Sequence, residues 1–268
     1  AKTTMIKVVA MVQARLGSSR LPGKMLMDVA GQPLLLRTLE RAKAIPEVDT
    51  VVLVTTTVPE DQRLLELAGE SGVPGFAGSA EDVLDRYYSA AKQHGAGVIM
   101  RLTGDCPLLD PSVCGLVNSR FAQGDVDYAS NVQPPTYPDG LDTEVFSFHA
   151  LETAWREATL KTDREHVTQF MLRHLDRFRS VNTIGAKDLS HLRWTVDEPE
   201  DLDFIRLVYQ GLDRRGWQGH GHDHVLQVIQ EDGLQDNSER LWRNQGLLKT
   251  MREDCLAFPV DSQINRSS

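Results

Sequence analysis

The chain has 268 residues, 41% of them hydrophobic, and a net charge of -9. That length suits one large domain with an extension, and the apolar share suffices for a full core. The acidic balance excludes a general nucleic-acid surface, so a phosphate site must be a local cluster of cations.

The three cysteines, Cys106, Cys114 and Cys255, have no CxxC spacing and an odd count, which predicts reduced thiols with neither a disulfide frame nor a zinc site. No apolar run approaches the ~20 residues of a membrane span, and the first residues lack a signal-peptide pattern. A cytosolic chain without nucleic-acid or membrane partners is expected.

The first predicted strand, 6–12, is short, β-branched and broken only by Lys7, as a buried parallel strand would be. The chain then turns polar through QARLGSSRLPGK, 13–24. Gly17, Ser18, Ser19 and Gly23 let backbone N–H groups come close to a ligand, and Arg15, Arg20 and Lys24 bring cations with no acid among them. Such a loop is a nest for a polyphosphate, with Arg as a bidentate fork and Lys as a point charge. The Walker and GxGxxG patterns are absent, and a solvated surface loop is the plain alternative.

Further along, a helix is predicted over 34–44, with Leu35, Leu39 and Ala42 on one face. A second buried strand follows at 50–56, a helix at 60–71 opened by Pro59, and a third strand at 73–76. The turn 78–82 leads into a helix at 83–94, and a fourth strand spans 97–102. Asp110-Pro111 caps another helix before a fifth strand at 126–130. This alternation predicts a three-layer α/β/α sandwich on a mostly parallel, Rossmann-like sheet.

The pattern then changes. Pro134, Pro135 and Pro138 interrupt the chain, 141–148 alternates as an antiparallel strand, and 163–174 reads as a helix. Strands at 178–184 and 192–196 and a helix at 199–211 complete a first domain, 1–216. Residues 134–190 are expected to form an inserted wall of the cleft with dimer contacts. Residues 217–268 read as a helical extension with a disordered tail. His220, His222 and His224 alternate there, which suits an ordinary polar turn better than a metal site.

In open parallel sheets the ligand sits at the carboxyl ends of the strands. The basic loop, Asp105 and Asp197 all fall there. Plain readings exist for each acid: Asp105 as a turn cap before Pro107, Asp197 as an N-cap with Glu200 three residues on. Ser79 and Asp82 have capping spacing too, and Asp163-Arg164-Glu165-His166 could be exposed surface pairing.

The loop QARLGSSRLPGK resembles the signature loop of the sugar-acid cytidylyltransferases, the synthetases of CMP-activated ulosonic and sialic acids, including a spore-coat polysaccharide branch. TGDCP, DREH and RWTVDEPED follow in the family's order, so the resemblance covers 6–211.

It implies the fold of the nucleotide-diphospho-sugar transferases, CTP as donor, a sugar acid as acceptor, Mg²⁺ on Asp105 and Asp197, and a homodimer. It implies Arg15, Arg20, Lys24 and Asp105 as catalytic residues. Gln13, Ala14, Arg15, Ser18 and Lys24 would hold the nucleotide phosphates, and Gly78, Ser79 and Asp82 its base. Asp139, Glu144, Arg164, His166 and Arg193 would face the acceptor. Another nucleotide or acceptor, a glycosyltransferase of this fold, or a nucleotide-binding partner protein remain open readings.

Overall fold

The computed structural model describes residues 6–257 apart from Gln218, His220, Arg240 and Trp242. In chain order its elements are β1 (Val8–Gln13), β2 (Asp28–Val29), β3 (Gln32–Pro33), α1 (Leu34–Lys43), β4 (Thr50–Thr56), α2 (Gln62–Glu70) and β5 (Gly75–Gly78). Then come α3 (Val83–His94), β6 (Val98–Thr103), α4 (Pro111–Gln123), β7 (Tyr128–Ser130), β8 (Glu144–Ser147), α5 (Phe148–Glu157), α6 (Lys161–Glu165) and α7 (Gln169–Arg173). The last are β9 (Ser180–Asn182), α8 (Pro199–Arg214), α9 (His222–Asp232) and α10 (Gln245–Ala257).

The 7-stranded sheet runs β5-β4-β1-β6-β8-β7-β9. All its pairings are parallel except those of β8, which runs against both β6 and β7. Because side chains alternate across a strand, each buried strand feeds two cores. Ala10 and Val12 of β1 pack with Leu35, Leu39, Val113 and Ile205 on the α1–α4–α8 face. Val9 and Met11 pack with Leu84, Tyr87, Leu151 and Phe170 on the α3–α5–α7 face. The expected three layers are therefore present, with a short antiparallel pair, β2–β3, beside them.

Several expectations differ from the structure, and the strand at 178–184 is reduced to β9. Residues 192–196 do not form a strand and give one isolated bridge, Arg193 with Asp139. The segment pairs with loops instead: Asp139 N–H donates to the Leu192 carbonyl (2.9 Å), Trp194 N–H to the Asp139 carbonyl (2.6 Å) and Val196 N–H to the Asp105 carbonyl (2.9 Å).

The helix at 163–174 is broken into α6 and α7, because Val167 takes a left-handed φ of 53° and turns Thr168 toward Glu144. The strand at 141–148 shrinks to β8, since the Asn131 side chain takes the ladder's place, donating to the Leu141 carbonyl (2.8 Å) and accepting from Thr143 N–H (2.9 Å). The third strand lies two residues later than expected, at Gly75–Gly78.

The extension is ordered through two helices. Val225 and Val228 of α9 are fully buried in the core that also holds α8. His222 opens α9, and both its backbone N–H (2.9 Å) and Nδ1 (2.6 Å) meet Asp110 Oδ2, while Asp110 Oδ1 caps α4 through Ser112 N–H (2.9 Å). One aspartate thus ties two helix starts together. His224 stands edge-on to Trp217 at 4.6 Å. His220 and the expected disordered tail after Phe258 lie outside the described residues.

Candidate active site

Gly23, in a left-handed turn at φ 73°, swings the basic loop into a short turn that starts at Lys24. Lys24 is 6% exposed, so its ammonium must find partners. Its Nζ donates to Asp105 Oδ2 (3.0 Å), to Asp197 Oδ1 (3.2 Å) and to the Val196 carbonyl (2.6 Å). Burial alone would lower the lysine's pKa, but the attraction of Asp105 and Asp197 outweighs it and holds the pKa above its usual value. Burial would likewise raise Asp197, yet Lys24, Arg193 and Arg20 hold it below the ordinary carboxylate range.

Local structure explains why these three meet. Asp105 follows β6 through Gly104, where a Cβ would come within 3.0 Å of the Ala14 Cβ and 3.2 Å of the Gln13 carbonyl. A side chain there would push the two strand-end loops a few tenths of an ångström apart. Asp197 is not the N-cap that its spacing to Glu200 suggested. The capping box sits one residue on, with Glu198 as N-cap and Asp201 reaching back. Asp201 Oδ2 accepts from Asp197 N–H (2.9 Å) and Glu198 N–H (2.9 Å), which leaves the Asp197 carboxylate to face Lys24.

The rest of the loop is held by Asp61, which stands just ahead of α2. Asp61 Oδ1 accepts from Leu16 N–H (2.8 Å), and its other oxygen takes the Thr56 hydroxyl. The Ser18 hydroxyl accepts from Leu21 N–H (3.3 Å), a bond internal to the loop. Ala14 is buried, and Gln13 accepts from Arg101 Nε (3.2 Å), so both shape the site from beneath. Arg20 reaches Asp197 (3.4 Å) and Glu198 (3.5 Å) with 40% of its side chain exposed, and Arg15 is exposed on the same loop.

The segment nominated for the base is pinned by its own side chains. A Cβ on Gly78 would meet Arg86 Cγ and Phe76 Cε1 at 2.9 Å. The Ser79 hydroxyl accepts from Asp82 N–H (3.0 Å), and Asp82 Oδ1 caps α3 through Asp85 N–H (2.9 Å). The other Asp82 oxygen takes Arg164 through Nε (2.9 Å) and Nη2 (2.7 Å). Arg164 is therefore not among the groups lining the expected acceptor wall: it fastens the insert to this segment and donates to the Trp155 carbonyl (2.7 Å). Buried Arg86 donates to the Ser79 (2.8 Å) and Ala80 (3.2 Å) carbonyls and holds the same turn.

Beside the triad opens a cavity of 390 Å³ walled by Asp139, Glu144, His166 and Arg193 and by Asp105 and Asp197. Its floor is a set of ion pairs. Arg101 meets Glu144 Oε1 (2.7 Å), whose other oxygen takes the Thr168 hydroxyl (2.7 Å) and the Tyr128 hydroxyl. Arg193 is bidentate to Asp201 (3.0 Å on both bonds) and also reaches Asp197 (2.8 Å) and Asp139 (3.5 Å).

Burial, then repulsion from Asp142, pushes Asp139 up to about 7 against the pull of Arg243 and Arg193. Burial also lowers His166, so it is neutral at pH 7, with Nε2 3.1 Å from the Thr250 hydroxyl. Asp61, Arg101, Asp142, Thr168 and Arg243 were missed from sequence. Arg101 alone left a signal, a single charge inside an otherwise apolar strand.

Comparison with known proteins bears on this arrangement. The cytidylyltransferase family model matches residues 9–212. The spore coat polysaccharide biosynthesis protein SpsF of Bacillus subtilis is 31% identical over 218 residues, 78% of this chain and 88% of its own. A 3-deoxy-manno-octulosonate cytidylyltransferase of Sodalis glossinidius is 26% identical over 220 residues, 76% of this chain and 86% of its own.

The structure of a cytidylyltransferase from Leptospira borgpetersenii superposes with a TM-score of 0.78 at 31% identity, covering 85% of this chain and 95% of that one. The chain belongs to the cytidylyltransferase family and is a CTP-dependent nucleotidyltransferase.

Proposed function

We propose that the chain transfers CMP from CTP to an anionic sugar acid, releasing pyrophosphate, as a step in making surface polysaccharide. The observation that carries this reading is the Lys24 ammonium between Asp105 and Asp197 at the carboxyl ends of the parallel strands. The 3-deoxy-manno-octulosonate cytidylyltransferase relative supports the acceptor class, and the SpsF relative the polysaccharide setting.

Two carboxylates that already share a cation suit Mg²⁺, which takes one or two carboxylates and completes its shell with phosphate oxygens and water. Among the described residues no group of three or more metal-binding side chains occurs, so the substrate would supply the remaining ligands. Asp105 and Asp197 would hold the ion, which when bound screens the triphosphate and polarises its phosphorus.

The other steps belong to the chain itself. Arg15, Arg20 and Lys24 neutralise charge on the α-phosphate and the leaving group, while backbone groups of 13–18 cradle the phosphates. The Ser79 and Asp82 side chains are already bonded and Arg86 takes the Ser79 and Ala80 carbonyls, so in this reading 78–82 reads the base through backbone N–H groups. Asp139 and Glu144 accept hydrogen bonds from acceptor hydroxyls, with His166 and Arg193 beside them. An acceptor hydroxyl gives up its proton to water, and its oxygen bonds to the α-phosphorus in line as the bond to pyrophosphate breaks. Positioning and electrostatics carry the rate, and no covalent intermediate on the enzyme is needed.

A pyrophosphate-release screen tests this, with four nucleoside triphosphates against 3-deoxy-manno-octulosonate, N-acetylneuraminate, sugar 1-phosphates and polyol phosphates. CTP with a sugar acid should release pyrophosphate fastest. Faster release with UTP or GTP, or with a phosphate acceptor, overturns the reading. Release of a nucleotide without pyrophosphate makes the chain a glycosyltransferase instead.

A further inference from the structure

The cavity wall is not built by the family's shared body alone. The family model ends at residue 212, yet residues 244–247 line the cavity beside Asp139, Glu144 and His166. This arm is stitched around the opening at several points. Arg243 donates to Asp142 Oδ1 (2.5 Å) and to the carbonyls of Tyr137 (3.3 Å) and Ser190 (3.4 Å), and lies 3.9 Å from Asp139. The Gln245 amide oxygen accepts from Arg20 (3.4 Å).

One turn further on, the Thr250 hydroxyl reaches both His166 (3.1 Å) and Glu165 (3.0 Å). At the far end, Asp254 accepts from Lys161 N–H (3.1 Å) and Thr162 N–H (2.9 Å), so α10 caps the start of α6.

Charge explains why the arm matters. Asp139 and Asp142 are two partly buried carboxylates only three positions apart, and like charges so placed resist ionising together. Arg243 is their shared counter-ion. Burial still pushes both carboxyls up and Arg243 opposes that push, so the fraction it keeps ionised can accept hydrogen bonds from sugar hydroxyls. Asn244 and Gln245 add side-chain amides, which both donate and accept.

We propose that residues 243–247 are an acceptor-selecting element supplied from outside the family's common body. Arg243 is its positioning residue, keeping Asp139 and Asp142 ready to receive the hydroxyls of a polyhydroxylated acid. The choice of an acid as probe rests on the function proposed above, whereas the docking of the arm does not.

Two measurements test this on the full chain. With 3-deoxy-manno-octulosonate, CTP and Mg²⁺, Arg243→Met should raise the KM for the acid at least tenfold. The turnover number should stay within threefold and the KM for CTP within twofold, and Arg243→Lys should restore the acid's KM to within threefold of the parent. A variant in which both KM values rise together, or only turnover falls, overturns the selecting role.

The second measurement needs no acceptor. Arg243→Met, Asp142→Asn and the double variant are melted side by side. If the arm is docked through this pair, the double variant melts no lower than the weaker single one. Independent, additive shifts overturn the docking itself. Should the parent enzyme ignore the acid altogether, the acceptor reading fails while the melting cycle still decides the arm.

Discussion

In the nucleotide half of the cleft one ammonium, Lys24 Nζ, sits between Asp105 and Asp197, while Arg20 leans out from the same loop with 40% of its side chain exposed. In the acceptor half the cations come from distant parts of the chain and each is matched to acids: Arg101 to Glu144, Arg193 to Asp201, Arg243 to Asp142. The first half keeps positive charge at its mouth, where the proposed function brings in a triphosphate. The second is close to neutral and already hydrogen-bonded, which suits the hydroxyl-bearing acceptor proposed for it. A buried ion pair contributes little net stability but is costly to break from one side, so the acceptor half gains a fixed shape from its pairs.

That contrast sets the expected effects of substitution. The largest falls in the nucleotide half. Lys24→Ala or Asp105→Asn should lower the turnover number at saturating CTP by at least about a hundredfold, the loss of one preorganised electrostatic contact. Pyrophosphate release measures it, and near-normal turnover in either variant removes that residue from the mechanism.

In the acceptor half the first effect is on stability. Arg101→Met leaves Glu144 buried opposite an apolar chain and should cost about 3 kcal/mol in urea unfolding. A cost under about 1 kcal/mol would mean that Tyr128 and Thr168 alone satisfy the carboxylate.

The smallest effect, and the sharpest probe of neutrality, is pH. The Asp139 carboxyl lies at about 7 in the folded chain against an ordinary 3.8. Folding therefore favours the protonated form, and the group's contribution to stability is full below the ordinary value and lost as pH rises through about 7. The melting temperature of the parent minus that of Asp139→Asn should fall from pH 5 to about pH 7 and level off above it. A flat difference would show that Arg193 and Arg243 fully compensate the ionised form.

The difference between the halves also tracks what could be read from residues in a row. Loop 13–24, with three cations and no acid, declares itself, because its members are neighbours in sequence. The acceptor half hides because Arg101 and Glu144 are ordinary charges until folding pairs them across 43 positions. Arg164 misled for the same reason: four ionisable residues in a row look like a site, yet its guanidinium is spent on Asp82, 82 residues away. The strand expected at 192–196 failed because loop carbonyls, not a sheet edge, took its N–H groups.

By itself the sequence determined the alternation of strands and helices, the parallel sheet and the chemistry of the first loop. These depend on hydrophobic period and local composition, which are properties of short windows. Only the tertiary structure decided that the capping box sits on Glu198 and Asp201, freeing Asp197, and that Lys24 closes the gap to two acids 81 and 173 residues away. It also decided that the arm at 243–247 joins the cavity wall. Burial forces each charge to find a partner, and which partner is nearest is a matter of how distant segments pack, which no window of sequence contains.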